Sequence, residues 1–217
     1  MMQEVRYNTG NISKYKTGNP LKRKLIKRFD LRLLQLLQYA AEKDCSKQNQ
    51  NLNLLDAGCG EGFVTVQIKS RRPDWHVVGI DGAEEAIALA KQLHTEIDFR
   101  IGNLYGLDFP DKVFDVVLCS EVLEHLEQPE KALKELQRVS KSVLLLTVPH
   151  EPWFRLGNLI SLHNVMRLGN PVDHINHWGF SGFRQFTTGI LDDFSCEYET
   201  SFPWSICLAV RKKFLLE

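Results

Sequence analysis

Residues 54–68 read LLDAGCGEGFVTVQI, and this stretch decides the fold. An apolar run ends at Asp56, Gly58, Gly60 and Gly62 follow at alternate positions, and the run after them has helical character. Glycines at a strand-to-helix turn permit tight backbone geometry and let main chain approach a ligand that side chains would block. The spacing is GxGxG rather than GxGxxG, and the loop carries Glu61 with no Lys or Arg. Such a loop disfavours a pyrophosphate and accepts a cationic, phosphate-free ligand.

Working outward, Leu52–Ala57 is read as a first strand and about 62–71 as a helix. His76–Asp81 follows as a strand and Ala83–Leu93 as a helix. Ile97–Ile101 is a third strand. Val113–Ser120, continuously apolar, reads as a fourth strand covered on both faces. Pro129–Ser140 is a helix with Pro near its start, and Val143–Val148 is a fifth strand. Alternation of this kind predicts right-handed crossovers and an α/β, doubly wound, mainly parallel sheet. Phe194–Thr200 and Ser205–Arg211, split by Phe202-Pro203-Trp204, read as an antiparallel closing pair. Before the first strand, Leu21, Leu25, Phe29, Leu33 and Leu36–Leu37 recur at helical spacing. Lys22, Arg23, Lys24, Lys27 and Arg28 lie among them, giving a basic amphipathic helix from about 20 to 42. Its basic face is either simply solvated or guides an anionic substrate or a membrane surface. Lys43–Asn51 reads as a loop.

The 217 residues suit a single domain, with 27 Lys plus Arg against 27 Asp plus Glu. We divide it into a cap and basic helix (1–45), a ligand-binding core (52–148), a lid or substrate-recognition insertion (149–185) and a closing helix and strands (186–217). Zero formal net charge argues against bulk-charge coating of nucleic acid. No apolar run approaches the ~20 residues of a membrane span, and the polar start MMQEVRYNTGNISKYK lacks a secretory apolar segment. Five scattered cysteines without a CxxC pair suggest neither a disulfide framework nor a zinc site. A cytoplasmic location is the expectation.

Two further segments carry chemistry. In VVGIDGAEEAI (77–87), Asp81 ends the second strand, where a carboxylate can accept both hydroxyls of a ribose. In FRIGNLYGLDFPDKVFDVVLCSEVLEHL (99–126), Asn103 follows the third strand, and the fourth runs into Glu121, Glu124 and His125. Taken in order, these residues resemble the class I S-adenosylmethionine-dependent methyltransferases over about 50–150. The resemblance implies a Rossmann-like, mostly parallel seven-stranded sheet with antiparallel C-terminal strands, and S-adenosyl-L-methionine as cofactor. It implies that Gly58, Cys59 and Gly60 pack against the amino-acid end and sugar of the cofactor. Asp56 would organise that loop and the methionine ammonium, and Asp81, with Gly82 beside it, would take the ribose hydroxyls. Asn103 stands where the family usually has Asp at the adenine amine, a mild departure because its carbonyl still accepts. Leu104 would lie beside the adenine and Ser120 at the fourth strand's exit. The polar N-terminal segment with Tyr7 and Tyr15 would close over the cofactor, Tyr15 being the candidate contact. Cys59 and Cys119 otherwise read as small packed residues.

Displacement at an activated sulfonium methyl needs orientation and dryness above all, and a general base only where the acceptor must lose a proton. Candidate bases are His150 and Glu151 in VPHEPWF, His163, His174 and His177 in DHINHW, and Glu121. Trp153, Phe154, Trp178 and Trp204 wall a substrate or form lid core. The favoured reading is transfer to O or N of a small molecule, an anionic one left open, with nucleic acid disfavoured and no resident metal. The alternatives are a metal-dependent RNA 3′-end 2′-O-methyltransferase, a non-catalytic cofactor-binding module, and, third, a nicotinamide dehydrogenase. The RNA reading rests on the resemblance of Glu121-x-x-Glu124-His125 with Asp173-His174…Trp178 to the metal site of the bacterial small-RNA enzymes.

Overall fold

The structure is a computed structural model that describes residues 15, 17–44, 51–153 and 174–212. Tyr7, Cys45, Phe154, His163 and Asp173, and with them most of the expected lid, lie outside the described residues.

Helix α1 spans Pro20–Asp44 and precedes strand β1, Asn53–Ala57. Then come α2 (Phe63–Arg71), β2 (His76–Asp81), α3 (Glu84–Leu93), β3 (Asp98–Ile101) and β4 (Phe114–Ser120). A 3₁₀ turn at Leu123–His125 leads to α4 (Pro129–Val139) and β5 (Ser140–Pro149). Helix α5 (Phe180–Thr188) and the strands β6 (Phe194–Ser201) and β7 (Trp204–Arg211) complete the described chain.

The strands form one sheet in the order β3-β2-β1-β4-β5-β7-β6. The first five are mutually parallel, and β7 pairs antiparallel with both β5 and β6. Strand order reverses between β1 and β4, so the loops leaving their carboxyl ends diverge and open a crevice there. Alternation along the central strands divides the core. Leu55, Val117, Leu144 and Leu146 face α4 and α5, while Leu54, Val116, Leu145 and Leu208 face α1 and α2. Helix α4 buries Ala132, Leu133, Leu136 and Val139, an i, i+1, i+4, i+7 stripe.

Three local outcomes depart from the sequence reading. Strand β5 begins at Ser140, whose hydroxyl donates to the Val143 carbonyl, and β7 begins at Trp204, opposite Pro149. Helix α5 lies mostly within the stretch read as lid, because Phe183 and Thr187 bury one side against the sheet. In α1 the packed face starts at Leu25–Ile26, and Leu21 is 66% exposed rather than part of the core stripe. No helix among the described residues is long and apolar enough to cross a membrane.

Candidate active site

The chain turns sharply where β1 ends. Gly58 and Cys59 N–H groups both donate to the Ile80 carbonyl at 2.8 and 2.9 Å, stapling the turn to β2. Gly58, Gly60 and Gly62 have φ of 83°, 54° and 81°, left-handed backbone that glycine adopts freely. A Cβ on Gly58 would stand 2.3 Å from Val122 Cγ2, so this glycine is needed for close approach as well. Asp56 is buried beneath the turn and accepts a 2.6 Å hydrogen bond from Thr65 Oγ1 in α2. Burial pushes its pKa up to about 6, with the Thr65 bond opposing. Cys59 packs its sulfur inward with Ile87 and Phe99, and burial pushes its thiol pKa up.

Asp81 faces the crevice. Its Oδ2 accepts from Gly60 N–H at 2.8 Å and its Oδ1 from Ala83 N–H at 2.9 Å. Each oxygen retains a second lone pair for a hydroxyl donor. Asn103 Oδ1 accepts from Tyr105 N–H at 2.9 Å, a turn that fixes the side chain at the crevice wall. A cleft of about 720 Å³ joins Asp81, Gly82, Asn103, Leu104, Gly58 and Glu121. Tyr105, Val122 and His125 line it too, and sequence reasoning had not given these residues a place there. Beside it, a recess of about 50 Å³ lies between Tyr15, Asp56, Cys59, Ser120 and Glu121. The Tyr15 ring stacks on Phe63 with centroids 4.7 Å apart, and its hydroxyl donates to Asp30 Oδ1 at 3.2 Å. Ser120 Oγ and Thr147 Oγ1 are 2.8 Å apart.

These residues fit S-adenosyl-L-methionine. The cleft has the size of a ligand pocket, a carboxylate stands ready for a diol, and the glycine turn leaves its backbone open. An acid under the turn suits the ammonium of the cofactor's amino-acid end.

On the far wall Glu121 has φ of 60°, and its Oε2 accepts from Trp204 Nε1 at 2.6 Å. Trp204 is buried and stacked on Phe29 of α1 with centroids 4.3 Å apart, so it is core and anchor rather than substrate wall. The segment 174–179 is tied onto the 3₁₀ turn. Ile175 and Asn176 N–H groups donate to the Glu124 carbonyl at 2.8 and 2.9 Å, and Asn176 Nδ2 donates to Leu123 and Leu126 carbonyls. This brings DHINHW against EVLEHL. His125 and His174 rings meet edge to face at 4.9 Å, and His174 lies 6.4 Å from His177. Glu124, only 1% exposed, joins His125 and His174, and Glu151 joins His174 and His177. In each trio one ligand atom per residue lies within 4.8 Å of the others. Among the described residues Glu121 belongs to neither trio. His150 is placed apart from the cleft lining, with Nδ1 3.2 Å from Ser205 Oγ and its ring parallel to Phe180; burial lowers its pKa.

Comparison with known proteins follows the same geometry. Residues 55–143 match a family described as a methyltransferase domain. An uncharacterized methyltransferase of Schizosaccharomyces pombe is 41% identical over 99 residues, 41% of this chain and 36% of that protein. Ajmaline N-methyltransferase of Rauvolfia serpentina is 29% identical, over 55% of this chain and 44% of the relative. A ubiquinone biosynthesis O-methyltransferase of Rickettsia conorii is 33% identical, over 48% and 37%. The chain thus spans about a third to a half of the length of these relatives. Two solved structures share the fold at 18% identity. The plantazolicin methyltransferase BpumL with S-adenosylhomocysteine (SAH) bound has a TM-score of 0.69, over 93% of this chain and 94% of that one. Magnesium protoporphyrin IX methyltransferase of Synechocystis PCC 6803, also with SAH, has a TM-score of 0.67, over 93% and 92%. The matched span opens in β1 and closes in β5, enclosing the glycine turn, Asp81, Asn103 and Glu121, and over that span the chain matches the methyltransferase-domain family.

Proposed function

We propose that the chain transfers the methyl group of S-adenosyl-L-methionine to an oxygen or nitrogen of a small-molecule acceptor. The observation that carries this reading is one cleft lined both by a diol-accepting carboxylate, Asp81, and by Glu121 and His125. Bound there, the cofactor supplies an activated methyl group. Asp81 and Gly82 take the ribose side, Asn103 and Leu104 the base. Asp56, Gly58, Cys59, Gly60, Ser120 and Tyr15 surround the amino-acid end. Glu121, fixed by Trp204, orients the acceptor, and His174 or His177 takes its proton, with His125 now joining them. His150, set back against Ser205, holds the exit of β5 in place. The names of the ajmaline and ubiquinone relatives support a small acceptor. The cations of α1 suit an anionic one, and free thiols at Cys59, Cys119, Cys196 and Cys207 suit the reducing cytoplasm.

One observation favours a second reading. Glu124, His125 and His174 converge as carboxylate and imidazole ligands would for a divalent ion, the arrangement an RNA 3′-end 2′-O-methyltransferase needs. The placement of Glu121 against Trp204 speaks for the first. Incubation with S-adenosylmethionine and panels of phenols, amines and RNA oligonucleotides, with and without Mg²⁺ or Mn²⁺, separates them. The proposal expects SAH with a small acceptor in the presence of chelator. Product only with RNA and a divalent ion would overturn it.

A further inference from the structure

Helix α1 packs Phe29 on Trp204, opposite the last residue of β5, and keeps Leu33, Leu37 and Ala41 buried along its remaining length. It therefore runs against the parallel strands, with its N-terminal end at the carboxyl edge of the sheet, where the cleft opens. Its first residues, Pro20–Lys24, are exposed on every side and project past the core.

On the outward face Lys24, Lys27 and Arg28 line a groove of about 480 Å³ whose other wall is Glu199–Ser201 of β6. Arg32 is committed to Glu199 through two hydrogen bonds. Lys24, Lys27 and Arg28 have no ion-pair partner among the described residues. Between Pro20 and Tyr39 the acidic residue is Asp30, buried beneath Tyr15 and Gln67. Lys22 and Arg23 meet the positive end of the helix dipole in the first turn, and Lys24, Lys27 and Arg28, three and four residues apart, repel one another, so the cations work against the helix itself. Neither packing nor helix stability requires them, so an external anion is the natural partner.

The face is also apolar in a particular way. Leu21 and Leu31 (41% exposed) alternate with the cations. Next to Ser201, the β6–β7 turn presents Phe202 at 53% exposure beside Trp153 at 48%, their ring centroids 6.3 Å apart. A phosphate chain of nucleic acid would satisfy the lysines and leave the leucines in water. A bilayer surface takes both, the cations at headgroup phosphates and the apolar tips at the acyl boundary.

We propose that this end of the molecule docks reversibly on a membrane leaflet rich in anionic phospholipid. The basis is the exposed face itself, so the docking stands independently of which acceptor is methylated.

Co-flotation tests it, using the whole chain with vesicles of phosphatidylcholine alone or mixed in equal parts with phosphatidylglycerol. The wild type floats with the anionic vesicles at low salt, releases them as salt rises and ignores the neutral ones. The Lys24→Glu, Lys27→Glu, Arg28→Glu triple variant binds at least ~10-fold more weakly, and Phe202→Ser weakens binding several-fold at unchanged charge. Circular dichroism checks that both are folded, and a triple Gln variant replaces the reversal if it is not. Wild type that fails to float with anionic vesicles overturns the proposal. So does undiminished binding by the triple variant or by Phe202→Ser, or an RNA oligonucleotide that displaces the vesicles.

Discussion

Asp56 and Asp81 end neighbouring strands, and their surroundings set them different tasks. Asp81 receives two backbone N–H groups at the crevice rim, while Asp56 is enclosed with Thr65. Asp81→Ala is expected to weaken SAH binding by about 1–3 kcal/mol, roughly one to two orders of magnitude in Kd by calorimetry. Unchanged affinity would remove Asp81 from the cofactor site. Asp56, raised to about 6 by burial, is protonated in the folded state below that pH and charged above it. A raised carboxyl favours the fold at pH below its ordinary range, and that advantage is lost as pH climbs through about 6. Asp56→Asn should therefore raise the Tm of the ligand-free protein at neutral pH and leave it unmoved in acid. A cofactor ammonium reverses the balance by favouring the carboxylate. SAH affinity should then rise as pH passes up through about 6, and a calorimetric pH series should go flat in the Asn variant. Both aspartates were legible in the sequence because each is adjacent to its own strand end and glycine. The Glu121–Trp204 bond was not, since 83 residues separate partners that only sheet closure brings together. His125 had no expected place in the cleft; the 3₁₀ turn Leu123–His125 brings it to the cleft lining.

Elements were legible where their periodicity was uninterrupted. Helix α5 was obscured by Gly179, Gly182 and Gly189, although Phe183, Phe186 and Thr187 keep helical spacing. The turn after β1 was readable down to its glycines, and it offers an internal comparison. Gly58→Ala forces φ of 83° on alanine and drives Cβ into Val122, an expected loss of ~1–3 kcal/mol. Gly106→Ala meets nothing within 4 Å and should stay within ~0.5 kcal/mol of wild type. Thermal melts of the pair, with and without SAH, show whether the close approach of the turn to Val122 matters. Equal Tm values for the two variants would mean that it does not. The stripe in α1 was legible as amphipathic, but the point at which it leaves the core was not. That boundary depends on where the sheet edge falls, and no local pattern records it.

At the scale of the molecule, alternation predicted a parallel sheet closed by an antiparallel pair, while strand order was beyond it. The order places β5 between β4 and β7, so a strand buried throughout Val143–Val148 is flanked on one side by a segment more than fifty residues later in the chain. As the polypeptide emerges during synthesis, Val143–Val148 stands as an open edge until Trp204–Arg211 arrives. A chain ended before Trp204 should accordingly collect in the insoluble fraction on expression, whereas one ended just after Arg211 should remain in the supernatant. If both partition alike, β7 is dispensable as a cover. The late strand acts as a built-in check on biogenesis: a polypeptide cut short before it presents sticky β-structure to quality control instead of passing as a working enzyme.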